Sequence, residues 1–131
     1  MLKILVVDDD VTTRLIFKKT LQSEGYEVVL ANNGAEGLQK ATTQNPDLII
    51  CDWIMPEMDG VEVCDRLKSH PKLASAYFIL LSACEKEDDL YKELKSKADG
   101  FLSKPVAPND LKVRVREALR SPIRSMTASP V

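Results

Sequence analysis

Short, unbroken apolar runs alternate along this chain with stretches in which apolar residues recur every three or four positions. The first pattern is that of a strand buried on both faces, the second that of a helix with one buried stripe. Residues 2–7, LKILVV, form the first run, and 11–25 follow with helical spacing, Phe17 and Leu21 one turn apart, closing on Gly25. Residues 26–31 predict a second strand and 33–41 a helix with Ala35, Leu38 and Ala41 on one face. PDLIIC, 46–51, predicts the central strand, opened by Pro46 where a missing N–H donor is tolerated.

The second half repeats the alternation. Residues 59–69 predict a helix, 76–82 a strand, and 87–97 a helix that aligns Leu90, Leu94 and Ala98. A short strand at 100–104 precedes a helix at 109–120, whose buried stripe is Leu111, Val115, Ala118 and Leu119. Five strand–helix units in one domain predict an α/β fold, a doubly wound five-stranded parallel sheet with helices on both faces. Residues 1–120 make up that domain, and the Ser- and Pro-containing stretch 121–131 predicts a C-terminal tail or truncated linker.

Composition narrows the function classes. A chain of 131 residues is enough for one domain and too short for two. A net charge of −2, with 29% charged residues, disfavours nucleic-acid binding over the whole surface, so no direct nucleic-acid partner is expected. The opening apolar run is cut off by Asp8, Asp9 and Asp10 and is too short for a signal segment or a membrane span. A cytoplasmic protein without membrane insertion is expected. Cys51, Cys64 and Cys84 are widely spaced, with no CxxC pair and a single histidine, His70. That pattern argues against zinc and against a disulfide framework. Cys51 and Cys64 read as small buried hydrophobes, and His70, before Pro71, as a surface turn residue.

The candidate chemistry lies at the strand ends. In an open α/β sheet, ligands bind outside the carboxyl ends of the strands, where the strand order reverses. Here strand one ends in Asp8 and Asp9, strand three in Asp52, strand four in Ser82, and strand five in Lys104 and Pro105. With the order 2-1-3-4-5, these ends share one rim. Carboxylates that close repel by several kcal/mol at ~4 Å, and a hard divalent cation relieves them. Mg²⁺ suits two carboxylates, a carbonyl and waters, while Lys104 adds a fixed positive charge and Ser82 a hydroxyl donor. Such a set makes a phosphoryl site. Asp10 and Asp59, by contrast, read as helix N-caps.

The segments ILVVDDD, DWIMPEMDG, LLSA and FLSKP stand in an order and at a spacing that resemble the receiver domains of two-component response regulators, over residues 2 to about 120. The resemblance supplies the flavodoxin-like strand order 2-1-3-4-5. It implies that Asp52 is the phosphoacceptor, a nucleophile toward the phosphohistidine of a sensor histidine kinase or histidine phosphotransfer protein. It implies that Asp9, Asp52 and the backbone carbonyl of Ile54 bind Mg²⁺ (or Mn²⁺), with Asp8 acting through a water. Lys104, aimed inward by a cis peptide at Pro105, would neutralise the transferred group. Ser82 and Phe101 resemble the family's switch pair, with Phe101 where tyrosine is commoner.

Ile54 and Cys84, two residues beyond Asp52 and Ser82, occupy the positions that tune self-dephosphorylation in that family. Neither can orient a water, so a long-lived phosphoryl group is expected. The resemblance also implies a switching surface made by the fourth predicted helix, strand five and the last helix, used for a downstream protein target or a homodimer. Lys112, Arg116 and Arg120 predict a basic stripe there, either solvated or used in docking. Two other classes stand beside this one. An aspartyl phosphatase would need a second acid where Ile54 stands, so the chain is not expected to be an enzyme beyond self-phosphorylation from a donor and slow self-dephosphorylation. A constitutive protein-binding pseudo-receiver, or a flavin binder of similar fold, would not need the intact acids, Ser82 and Lys104.

Overall fold

In the computed structural model the residues described are 1–82 and 98–120. Five strands, β1 (Lys3–Val7), β2 (Glu27–Ala31), β3 (Leu48–Asp52), β4 (Tyr77–Ser82) and β5 (Gly100–Ser103), form one sheet in the order β2-β1-β3-β4-β5. All four pairings are parallel. The helices are α1 (Val11–Gln22), α2 (Gly34–Gln44), α3 (Gly60–Lys68) and a C-terminal helix (Pro108–Leu119). This is the five-stranded parallel sheet that the alternating pattern predicts, in the strand order that the resemblance supplies. The predicted helix at 87–97, Cys84 and the stretch 121–131 lie outside the described residues.

The two-residue period of the strands divides the core. Leu5 and Val7 of β1, Ile49 and Cys51 of β3, and Phe78 and Leu80 of β4 meet Ala41, Val63, Cys64 and Leu67 from α2 and α3. Ile4, Val6, Leu48, Ile50, Ile79 and Leu81 point the other way, onto Phe17 and Leu21 of α1 and Leu111, Val115 and Ala118 of the C-terminal helix. Burying each Leu, Ile or Phe contributes roughly 1.5–3 kcal/mol. The central strands therefore hold their ends in fixed positions. Cys51 and Cys64 are buried free thiols, as expected, and burial pushes the Cys51 thiol well above its ordinary pKa. His70 is half-buried in the turn after α3, where its Nδ1 accepts the Lys72 N–H at 3.2 Å.

Element ends depart from the pattern for local reasons. Helix α1 stops at Gln22, short of Gly25; the Ser23 amide bonds back to Lys19, and Gly25 turns the chain at φ 90°. Helix α2 runs to Gln44 rather than Ala41, its Thr42 and Thr43 hydroxyls bonding back to the carbonyls of Leu38 and Gln39, and Asn45 closes it at φ 51°. Strand β3 begins at Leu48, not Pro46. Before it, Asp47 accepts the Lys3 amide at 2.8 Å and so fixes the start of β1.

The predicted basic stripe is interrupted. Arg116 is committed to Glu24, at the turn after α1, by an ion pair of 2.6 Å that ties the C-terminal helix to its neighbour on the same face of the sheet.

Candidate functional site

At the end of β1, the Asp8 amide donates to the Ala31 carbonyl at 3.1 Å, so the strand ladder is carried one residue further. Asp8 then turns the chain, its Oδ1 accepting the Asp10 amide at 2.9 Å. Asp10 caps α1, accepting the Thr13 amide at 3.1 Å and its hydroxyl at 2.6 Å. The Thr13 bonds hold the Asp10 carboxyl below its ordinary pKa. Asp10 is therefore a cap, as the sequence predicts, and so is Asp59, which accepts the Glu62 amide at 3.0 Å.

Asp52 is the last residue of β3 and stands in register with Leu81 of β4. Beyond it the Trp53 amide donates to Leu81 at 2.9 Å, and the Gly60 amide returns to the Trp53 carbonyl at 2.7 Å. Gly60 has no room for a side chain, because a Cβ there would lie 2.3 Å from the Asp52 carbonyl oxygen and 2.7 Å from a Leu80 methyl. This close approach closes the loop 53–59 over the strand end. Lys104 follows β5, its amide bonded to the Ser82 carbonyl at 2.8 Å, and the Lys104–Pro105 peptide is cis.

These local arrangements bring three acids together. Carboxylate oxygens of Asp8, Asp9 and Asp52 lie within 4.8 Å of one another. Asp8 is fully buried and Asp52 nearly so, whereas Asp9 is exposed. The Lys104 ammonium stands 3.0 Å from Asp8 Oδ2 and 3.3 Å from Asp52 Oδ2. Burial and the neighbouring Asp8 carboxylate raise the Asp52 pKa, an effect that Lys104 opposes. Burial pulls the Lys104 pKa down, yet Asp8 and Asp52 together carry it above the ordinary lysine value.

The donor set fits a hard cation. Asp8 Oδ2 is buried with the Lys104 ammonium 3.0 Å away, and that one cation serves a cluster of three carboxylates. An oxygen-seeking dication at the cluster would offset the repulsion that remains.

Ser82 is buried at the end of β4, and Phe101 is half-buried in β5, packed on the α2–α3 side of the sheet. Ile54 is 77% exposed just beyond the end of β3, so its side chain faces solvent rather than the core.

Two features went unread in the sequence. Val11, Leu15 and Ile16 of α1 are exposed, at 54, 55 and 47%. Ile16 lines a groove of about 480 Å³ with Phe17, Pro105 and Val106 that reaches Lys104 itself. Three apolar residues outside the Phe17–Leu21 stripe were the available signal. The second feature is Arg14, whose guanidinium donates to the Asp8 carbonyl at 2.6 Å. A cavity of about 520 Å³ between α2 and α3 shares no residue with the acids.

The model of the response regulator receiver domain family matches residues 4–116. The alkaline phosphatase synthesis transcriptional regulatory protein PhoP of Bacillus subtilis is 38% identical over 128 residues, covering 98% of this chain and 51% of that protein. The response regulator MprA of Mycobacterium leprae is 36% identical over 91% of this chain and 51% of its own. The chain thus spans about half the length of these relatives. Among solved structures, the chemotaxis protein CheY4 of Vibrio cholerae superposes with a TM-score of 0.83 at 32% identity, covering 90% of this chain and 98% of that one. The signal receiver domain of a Syntrophus aciditrophicus histidine kinase superposes equally well, at 35% identity over 92% and 91% of the two chains.

Proposed function

The chain belongs to the response regulator receiver family of two-component systems, and from that premise we propose that Asp52 accepts a phosphoryl group from a histidine kinase or histidine phosphotransfer protein. An Asp52 carboxylate oxygen attacks phosphorus, a P–O bond forms, and the P–N bond of the donor phosphohistidine breaks, its electron pair remaining on the imidazole. Asp9, Asp52 and the backbone carbonyl of Ile54 would hold Mg²⁺ (or Mn²⁺), with Asp8 acting through a water; the ion supplies charge neutralisation at the phosphoryl oxygens. Lys104, already paired with Asp52, would stabilise the same oxygens with its ammonium. The observation that carries the reading is the single ammonium shared by Asp8 and Asp52 at the mouth of a three-carboxylate cluster.

A protein donor suits the surroundings better than a small one alone. The groove that Ile16 lines with Pro105 and Val106 reaches Lys104, whose ammonium meets Asp52, and a large partner surface seated there could exclude water during transfer. After transfer, the Ser82 hydroxyl bonds a phosphoryl oxygen and Phe101 turns into the space it leaves, biasing a two-state surface formed by β5, the C-terminal helix and the predicted helix at 87–97. That surface engages a downstream protein or a second copy. Residues 1–120 act as the receiver and 121–131 as a tail or linker. The transcriptional regulators it matches are about twice as long, which suits a receiver that hands its state to an output module.

Trp53 adjoins Asp52 and is the only tryptophan, so its emission is the direct test. Addition of Mg²⁺ and then of acetyl phosphate should change it in two steps. A silent second step, with no phosphorylated species by intact mass, would remove the proposal. Because Ile54 is exposed and cannot orient a water, Ile54→Asn should shorten the phosphoryl lifetime several-fold. The decay of the acyl phosphate measures this, and an unchanged rate would refute the slow-hydrolysis reading.

A further inference from the structure

We infer that Arg14 is a positioning residue for the metal-binding turn, fixing the Asp8–Asp9 peptide so that Asp9 presents its carboxylate to the ion. The inference rests on the reading of Asp9 as a metal ligand. Asp9 is exposed, and among the described residues its carboxylate takes no hydrogen bond, so no neighbour fixes its rotamer and the backbone sets the range it can reach. The peptide that joins it to Asp8 is held on the Asp8 side from three directions. The Asp8 amide is tied to Ala31, and its Oδ1 receives the Asp10 amide. The third tie, to the Asp8 carbonyl oxygen, is Arg14 Nη1 at 2.6 Å.

This third contact is the one made to the Asp8–Asp9 peptide itself, and the one a substitution can remove without touching the acid cluster. The first is between backbone groups, and the second uses the Asp8 carboxylate. Arg14 reaches back six positions from the second turn of α1; the Glu36 carboxyl, at the start of α2, is held below its ordinary pKa chiefly by the Asn32 amide, with Lys40 and then Arg14 adding to it. A charge-assisted bond of this length is stronger than a neutral one and fixes the plane of the acceptor peptide. Loss of it would let the Asp8–Asp9 peptide rotate, and a small rotation at the backbone is magnified at a carboxylate two bonds out. Mg²⁺ tolerates little departure from octahedral geometry, so that freedom costs affinity.

Charge alone predicts the opposite. Arg14 is a cation near a cation site, so removing it should tighten Mg²⁺ binding if electrostatics dominates. The sign of the change therefore separates the two roles. Mg²⁺ titrations followed by Trp53 emission should show Arg14→Gln binding about tenfold more weakly than wild type, the loss expected for an outer residue that orients a ligand. Arg14→Lys, which keeps a cationic donor, should recover most of that loss. Thermal melts in EDTA report folding separately. Equal or tighter Mg²⁺ binding by Arg14→Gln overturns the inference while leaving the acceptor reading intact. Weaker binding that Arg14→Lys fails to improve, accompanied by a lowered melting temperature in EDTA for both variants, assigns Arg14 to general stability and also overturns it. A wild-type protein with no Mg²⁺ response removes the ligand assignment and this inference together.

Discussion

Asp52→Asn should take up no phosphoryl group from acetyl phosphate or from a phosphorylated kinase, and in metal-free buffer it should melt at a higher temperature than wild type. The first outcome follows from chemistry, since an amide at this position is not a nucleophile toward phosphorus. The second follows from electrostatics. Burial, with Asp8 adding to it, raises the Asp52 pKa, so the folded protein binds this proton more readily than the unfolded chain does. Stability therefore falls as pH rises from the unfolded carboxyl value through the raised folded one. Above that window the ionised carboxylate is a net cost, which the neutral amide lacks. The gain should vanish below the window, and saturating Mg²⁺ should reverse the order, because wild type gains from the ion and the variant loses one ligand. Intact mass and melting curves at two pH values, with and without Mg²⁺, check all four arms. A variant that melts lower than wild type in EDTA at neutral pH would contradict the account of the site as an acidic cluster that Lys104 only partly compensates.

Lys104→Met should abolish most phosphoryl uptake and destabilise the metal-free protein by about 3 kcal/mol, the low end of what breaking a buried ion pair costs. The low end applies because the Lys104 side chain keeps 26% exposure, while Asp8 has none. Mg²⁺ should restore much of the loss. At a hundred times its Kd a ligand contributes roughly 2.7 kcal/mol, comparable to what the ammonium supplied. The same dependence is expected in wild type at alkaline pH. The Lys104 pKa is raised above its unfolded value. Its contribution is therefore complete below the unfolded lysine value and disappears as pH climbs through the folded one. Urea unfolding in EDTA and in Mg²⁺ measures both halves. Equal stability of variant and wild type in EDTA would mean that the ammonium does not compensate Asp8 and Asp52.

The fold and the acid site could be read from the sequence for related reasons. Strands buried on both faces need continuous apolar runs, so the first polar residue after each run marks the rim. Asp8, Asp52 and Ser82 occupy such positions, and Lys104 comes one residue later, after Ser103. Caps were equally legible, because Asp10 and Asp59 act on residues three positions away. What escaped depends on chain segments far apart. Arg116 and Glu24 are 92 positions apart, and no local pattern distinguishes a bonded arginine from a solvated one. Lys68, at the end of α3, meets Asp99 across 31 positions, in the turn leading to β5. The extra turn of α2 rests on threonine hydroxyls bonding back along the helix, which residue propensity does not anticipate. The Arg14 contact was missed because its acceptor is a main-chain carbonyl, invisible in any comparison of side-chain types.

The tight seat of Gly60 against the Asp52 carbonyl constrains anyone who would re-engineer this chain as an optical reporter. A fluorophore-bearing insert between 52 and 60 would pry apart two backbone segments that have no spare volume between them. The exposed Asn45, which closes α2 at the opposite margin of the sheet, offers the better splice point. A probe placed there would sense the acceptor only through β3, with no direct contact to the chemistry it reports.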